Sequence, residues 1–120
     1  MPLDYIGTEV SIGETASLLC NTSLSSDMIW TYDATGDNGY VNYVYWNRHI
    51  DSSKPRLSVN ASVDYHHHSL TISRAQLSDS GLYDCYNGTG QRTVGYQLTV
   101  HGMFLTFFLN ISPGSNVVYL

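Results

Sequence analysis

The sequence predicts an all-β protein folded as a sandwich or a barrel. Hydrophobic and polar residues alternate with a period of two over several short segments, as is typical of half-buried strands. Polar turn signals separate these segments, for example the two glycines of the stretch 34–39. With 120 residues, the chain has room for one domain, or for one domain with an extension.

The alternation places the hydrophobic residues of most predicted strands on one face of the strand. The segment 40–46 is less clear, because it carries aromatic residues on both faces. Strict alternation there predicts Tyr43, Tyr45 and Asn47 on one face, with Val44, Trp46 and Arg48 on the other. In the remaining strands the residues predicted to share one face are Ala16, Leu18 and Cys20; Met28, Trp30 and Tyr32; Leu57 and Val59; Leu70 and Ile72; Tyr83 and Cys85; and Val94, Tyr96, Leu98 and Val100.

The composition argues against several classes of partner. Charged residues make up 12% of the chain, and the formal net charge is -5. Nucleic acids and anionic membranes are bound by clustered Lys and Arg, so neither is an expected partner. The apolar run after His101 is too short to span a bilayer as a helix, so no part of this chain is expected to insert into a membrane. Ten tyrosines and ten glycines indicate strands, turns and contact surfaces instead.

The two cysteines, Cys20 and Cys85, are far apart in the sequence. A zinc site would require short paired spacings, and a redox site would require C-x-x-C, so one long-range disulfide is the better interpretation. Four N-x-S/T sequons begin at Asn21, Asn60, Asn87 and Asn110 and are predicted glycosylation sites. Together these features predict an extracellular protein, either secreted or on the cell surface.

The cysteine spacing and the segment Asp79–Cys85 resemble a known family. Cys20, then Trp30, then D-x-G-x-Y-x-C over 79–85 is similar to the immunoglobulin superfamily, V-type or a close I-type relative. The resemblance covers residues 8–101. It implies an immunoglobulin-like two-sheet Greek-key sandwich with one inter-sheet disulfide.

The resemblance also implies structural roles for individual residues. Cys20 and Cys85 would join the two sheets, and Trp30 would pack against their disulfide. Tyr83 would form the tyrosine corner, and Asp79 would pair with Arg56 to close one end of the sandwich.

In V-type domains the sheet built from strands G, F, C and C′ is the usual docking surface, so the resemblance implies a protein partner here. The predicted contact residues are Tyr32, Tyr43, Tyr45, Trp46 and Arg48, which include residue types favoured at interfaces. The segment after Cys85 is short and lacks the Phe/Trp-Gly-x-Gly bulge of antigen-receptor joining segments. A glycan at Asn87 would crowd this end of the domain and favour recognition through the sheet face.

Other chemistry has less support in the sequence. No nucleophile elbow, H-E-x-x-H or phosphate-binding glycine loop is present, so an enzyme is not expected and no cofactor is predicted. The run His66, His67 and His68 raises a metal hypothesis, in which His66 and His68 would share one face of a strand. The alternative is a partly solvated loop triplet, and our prediction is that no metal is bound.

The end of the chain differs in character from the rest. We predict a V-type domain over residues 1–101, followed at 102–120 by a linker and the first strands of a second, truncated immunoglobulin-like domain. The alternative is an ordinary hydrophobic tail. The apolar run 103–108 is expected either to dock on the first domain or to pair with another copy, giving a dimer.

Two functions are compatible with the sequence. The first is a non-enzymatic ectodomain module for adhesion or immune recognition, of host or viral origin, whose protein ligand or receptor includes the homophilic case. The second is a structural spacer domain with no ligand of its own.

Overall fold

The predicted all-β sandwich is confirmed by a computed structural model, which describes residues 4–22, 27–34, 42–46, 48–61 and 68–102. Six strands form one sheet in the order β1-β9-β8-β3-β4-β5, and three form the other in the order β2-β7-β6. The strands are β1 Ile6–Ser11, β2 Ala16–Cys20, β3 Ile29–Asp33, β4 Asn42–Trp46, β5 His49–Ile50, β6 Leu57–Ala61, β7 His68–Ile72, β8 Gly81–Tyr86 and β9 Arg92–His101.

Most neighbouring strands run antiparallel. The exception is β1, which pairs parallel to β9 and forms one edge of the larger sheet. A 3₁₀ turn, Leu77–Asp79, precedes β8. No segment of the described chain forms a helix with the length and hydrophobicity needed to span a bilayer.

The core lies between the two sheets and is built from the alternating residues that the sequence predicted. In β2, Ala16, Leu18 and Cys20 are buried while the residues between them are exposed. Trp30 belongs to the six-stranded sheet and Leu70 to the three-stranded sheet, and both side chains are fully buried. Burying side chains of this size contributes about 2 kcal/mol each, which explains why the two-residue period predicts these strands well.

The predicted disulfide between Cys20 and Cys85 is present and joins the two sheets. Its residues are 65 positions apart, so the closed loop is long. A cross-link of this span removes loop-closure entropy from the unfolded chain worth about 4 kcal/mol.

Candidate functional site

The outer surface of β3, β4 and β8 carries the candidate functional site. Two aromatic side chains dominate it, Tyr43 at 55% exposure and Trp46 at 42%. Their ring centroids are 6.1 Å apart and the rings are tilted by 45°. We call this surface the aromatic face, and its members are Ile29, Thr31, Tyr43, Trp46 and Tyr86.

A β-bulge in β4 brings the two rings to the same side. Tyr45 lies opposite Trp30 in the pairing with β3, whereas Tyr43 lies opposite Thr31, so Val44 is an extra residue on β4. Val44 and Tyr45 are both buried as a result, at 1% and 8% exposure. The prediction that strict alternation holds through β4 was therefore wrong, because the bulge reverses the faces of the residues that follow it.

A depression of about 220 Å³ lies beside Tyr43 on this face. Its walls come from three strands and from the turn after β8, and no charged residue of the described part of the chain lines it. The lining residues are Ile29, Thr31, Tyr43, Tyr86 and Gly90. The site is thus an apolar hollow bordered by aromatic rings, which suits an inserted side chain from a protein partner better than a charged ligand.

A polar cluster lies beside the aromatic face on the same sheet. Asp84 is only 6% exposed, and its carboxylate accepts hydrogen bonds from Arg92 Nε at 2.5 Å and from the Tyr5 hydroxyl at 3.0 Å. Arg92 also donates to the Asp4 carbonyl oxygen at 2.6 Å and lies over the Tyr5 ring. Burial, followed by the hydrogen bond to Asp84, raises the pKa of Tyr5, so its hydroxyl remains protonated and donating.

Gly95 makes this cluster possible. It lies opposite Asp84 in the β8–β9 pairing. A Cβ atom at this position would overlap the Arg92 guanidinium and come within 2.6 Å of Asp84 Oδ1. The absence of a side chain on β9 therefore leaves room for the ion pair to lie directly on the sheet.

Three of the predicted contact residues lie elsewhere. Tyr45 is a core residue. Tyr32 points to the inner side, where its ring centroid is 4.9 Å from that of Tyr83 and its hydroxyl donates to the Ser80 carbonyl oxygen at 2.7 Å. Arg48 is exposed but lies in the β4–β5 turn with a left-handed φ of 67°, not on the face of a strand. Tyr32 and Tyr45 therefore leave the candidate contact set, Tyr43 and Trp46 remain in it, and a contact role for Arg48 stays a prediction.

The predicted structural residues meet at one end of the sandwich. Arg56 Nη1 and Nη2 donate to the two carboxylate oxygens of Asp79 at 2.7 and 2.9 Å. The Gln76 backbone amide donates to the same carboxylate at 2.7 Å, and the Tyr83 hydroxyl donates to the Asp79 carbonyl oxygen at 2.6 Å. Burial opposes ionisation of Asp79, but the bonds from Arg56 and Gln76 outweigh it and hold the pKa of its carboxyl below the usual value.

The centre of the core contains a histidine that the sequence did not predict there. His68 is 1% exposed, and its Nε2 accepts a hydrogen bond from Trp30 Nε1 at 3.1 Å. Since an indole N–H can only donate, the proton of His68 is on Nδ1, which donates to the Thr22 carbonyl oxygen at 3.0 Å. Burial lowers the pKa of His68, with the bond to Thr22 acting in the opposite direction, so the ring is neutral.

The metal hypothesis loses support from this arrangement. The ligand atoms of Cys20, His68 and Cys85 lie within 4.8 Å of one another, but both sulfur atoms are bonded in the disulfide. A metal bound by these three side chains would need a thiolate or a free imidazole lone pair, and His68 uses both ring nitrogens in hydrogen bonds. His66 and His67 lie outside the described residues.

The predicted glycosylation sites are placed in different parts of the fold. Asn21 follows β2 and is exposed, and Asn60 lies on β6 and is also exposed. Asn87 lies in the turn between β8 and β9. Asn110 and the predicted second-domain segment, apart from Gly102, lie outside the described residues, so tail-driven dimers and the division at residue 101 stay predictions.

Comparison with known proteins identifies the family. The model of the immunoglobulin V-set domain matches residues 7–101. The chain belongs to the immunoglobulin V-set family. The two sheets of this V-set domain correspond to strands A′GFCC′C″ and BED, so the aromatic face lies on strands C, C′ and F.

Relatives of this V-set domain include sodium channel regulatory subunit beta-3 from Mus musculus, Bos taurus and Homo sapiens. Each is 31% identical over 88 residues, which cover 65% of this chain and 41% of the relative. The chain thus spans about two fifths of the length of these relatives.

Several members of the site could not be found by alternation alone. Ile29, Thr31 and Tyr86 come from two strands that are joined to β4 only through pairing in the sheet. Gly95 did carry a signal, because a glycine inside a strand often marks a close approach by other groups. His68 also carried one, because a period of two places it on the same face of β7 as Leu70 and Ile72. Its partners Trp30 and Thr22 carried none, since they are 38 and 46 residues away.

Proposed function

We propose that this V-set domain is a non-enzymatic recognition module of an extracellular protein and that it binds a protein partner through the aromatic face. The observation that carries the proposal is the exposed Tyr43–Trp46 pair beside a depression with no charged residue among its described lining. Tyr and Trp are the residues most often found as energetic anchors of protein interfaces, since they bury a large area with little loss of side-chain entropy.

The surroundings of the pair support the same proposal. The rings are held on a paired strand, and Val44 and Tyr45 anchor that strand in the core. The nearby Asp84–Arg92 pair is satisfied within the domain, so it presents no unpaired charge that a partner would have to neutralise. A partner that covers this face therefore gains apolar contact without the desolvation cost of a free ion.

The names of the relatives indicate which partner to test. They are regulatory subunits of a sodium channel, and the match covers 65% of this chain, whose V-set domain spans residues 7–101. We propose the extracellular part of a sodium channel as the partner of the aromatic face. A second copy of the domain is the alternative partner, and the spacer hypothesis predicts neither.

The experiment measures binding of the purified, secreted chain to cells that express a sodium channel and to the same cells without it. We expect saturable binding to the channel-expressing cells only. Trp46→Ala is expected to weaken it at least tenfold, which corresponds to about 1.4 kcal/mol. Leu19→Ala is the matched control, because Leu19 is 51% exposed on the opposite sheet.

The other outcomes separate the alternatives. Equal weakening by Trp46→Ala and Leu19→Ala would contradict a role for the aromatic face. Absence of channel binding, together with self-association by light scattering that Trp46→Ala abolishes, would replace the channel by a second copy. Absence of both would leave the spacer function.

A further inference from the structure

The side chain of Asn87 is held in the β8–β9 turn by its amide oxygen. Asn87 Oδ1 accepts hydrogen bonds from the backbone amides of Thr89 at 3.0 Å and Gln91 at 2.9 Å, and from the Thr89 hydroxyl at 2.7 Å. The bond from the Thr89 amide forms an Asx-turn, in which an Asn side chain hydrogen-bonds the backbone two residues ahead. The oxygen is thus fully engaged, and the orientation of the planar amide is set.

The nitrogen of the same amide remains available. Among the described residues no acceptor binds Asn87 Nδ2, and the three residues that follow, 88–90, are all exposed. Asn60 differs, since its Nδ2 donates to the Thr71 hydroxyl on the neighbouring strand at 3.1 Å. Nδ2 is the atom that carries an N-linked glycan in the sequence N-x-S/T, which Asn87, Gly88 and Thr89 provide.

The turn is next to the aromatic face. Tyr86, immediately before Asn87, and Gly90, three residues after it, both line the depression. Tyr43 lines it from β4, on the other side of β3 from β8, and contacts Trp46. A group attached to Asn87 therefore lies at the end of the depression next to the β8–β9 turn, and the β4 side of the depression remains accessible to a partner.

We propose that Asn87 carries an N-linked oligosaccharide that stands at the turn end of the aromatic face and leaves Trp46 uncovered. The inference rests on the proposed extracellular function. The oligosaccharide blocks approach over the β8–β9 turn and directs a partner to the sheet from the β4 side.

Glycopeptide mass spectrometry of the full chain secreted from eukaryotic cells tests the modification. Thr89→Ala removes the acceptor sequence but keeps the two backbone hydrogen bonds to Asn87 Oδ1. Thr89→Ser keeps the acceptor sequence as well as these bonds. We expect glycan on Asn87 in the wild type and in Thr89→Ser, and none in Thr89→Ala. An unmodified Asn87 in the secreted wild-type chain would overturn the proposal.

Iodide quenching of tryptophan fluorescence tests the position of the glycan without any partner. Trp30 is fully buried, so the quenchable emission comes from Trp46. We expect equal quenching in the glycosylated wild type and in Thr89→Ala. Stronger quenching in Thr89→Ala would mean that the glycan covers Trp46 and would overturn the stated position. Neither readout involves a sodium channel, so failure of channel binding and failure of this inference are distinguishable.

Discussion

The indole nitrogen of Trp30 donates a hydrogen bond to Nε2 of His68, 3.1 Å away in the centre of the core. The same imidazole nitrogen lies 3.8 Å from Cys85 Sγ. The side chains of the larger sheet (Trp30) and the smaller sheet (His68) thus meet at the disulfide through a polar contact as well as through packing. This contact requires a neutral imidazole, because a protonated Nε2 would place two donors against each other.

Stability is expected to fall as the pH drops below about 6.5, the usual pKa of a solvated histidine. Burial lowers the pKa of folded His68, so below that pH the unfolded state binds the additional proton. The free energy of unfolding then decreases by up to about 1.4 kcal/mol per pH unit until the folded pKa is reached. Urea unfolding between pH 5 and 7.5, in steps of about half a unit, should show this slope. The slope should be reduced in His68→Gln and retained in His49→Gln, and an unchanged slope in His68→Gln would contradict the assignment.

Loss of the ion pair at the end of the sandwich is expected to destabilise the domain strongly. Arg56→Ala leaves the Asp79 carboxylate, a group at about 10% exposure, without its two-pronged partner. The expected cost is about 3 kcal/mol, and Arg56→Lys should recover only part of it because a single ammonium cannot reproduce the fork. The lowered pKa of Asp79 adds stability that is complete above about pH 4 and is lost as the pH falls through the folded value. Thermal unfolding at pH 7 and pH 3 measures both effects, and an Arg56→Ala variant as stable as wild type would refute the role.

Gly95→Ala is expected to be destabilising although the residue is small and lies within a strand. The added methyl group would displace Arg92 from Asp84, and the expected cost is about 2 kcal/mol for a partly buried pair. Gly7→Ala, on β1, is the control, since a Cβ there meets no atom of the described residues within 4 Å. Chemical denaturation of the two variants gives the comparison, and equal midpoints would contradict the role of Gly95.

The core was predictable from the sequence because its strands keep a strict period of two. Leu18, Leu70 and Leu98 are buried where alternation placed them. The face of β4 was not predictable, because a bulge depends on how two strands pair and not on the local pattern. Pairs formed across the sheet, such as Asp84 with Tyr5 at 79 residues of separation, are invisible to local periodicity for the same reason.

Because of the bulge, the two tryptophans are expected to differ in their accessibility to a fluorescence quencher. Trp46 is 42% exposed and Trp30 is inaccessible. Acrylamide should therefore quench part of the wild-type fluorescence readily and leave the remainder protected. Trp46→Phe should abolish the acrylamide-accessible component of the fluorescence. The Phe side chain at this position keeps most of the surface contacts of Trp46. A persistent accessible component in Trp46→Phe would show that Trp30 is not buried as described.

The central claim is that Tyr43 and Trp46 form one contact surface, and a double-mutant cycle in the channel-binding assay tests it most directly. Tyr43→Ala and Trp46→Ala are each expected to weaken binding at least tenfold. Because the two rings are in contact, the double variant should lose less than the product of the two single effects. Wild-type affinity in either single variant, with the fold intact, would contradict the claim.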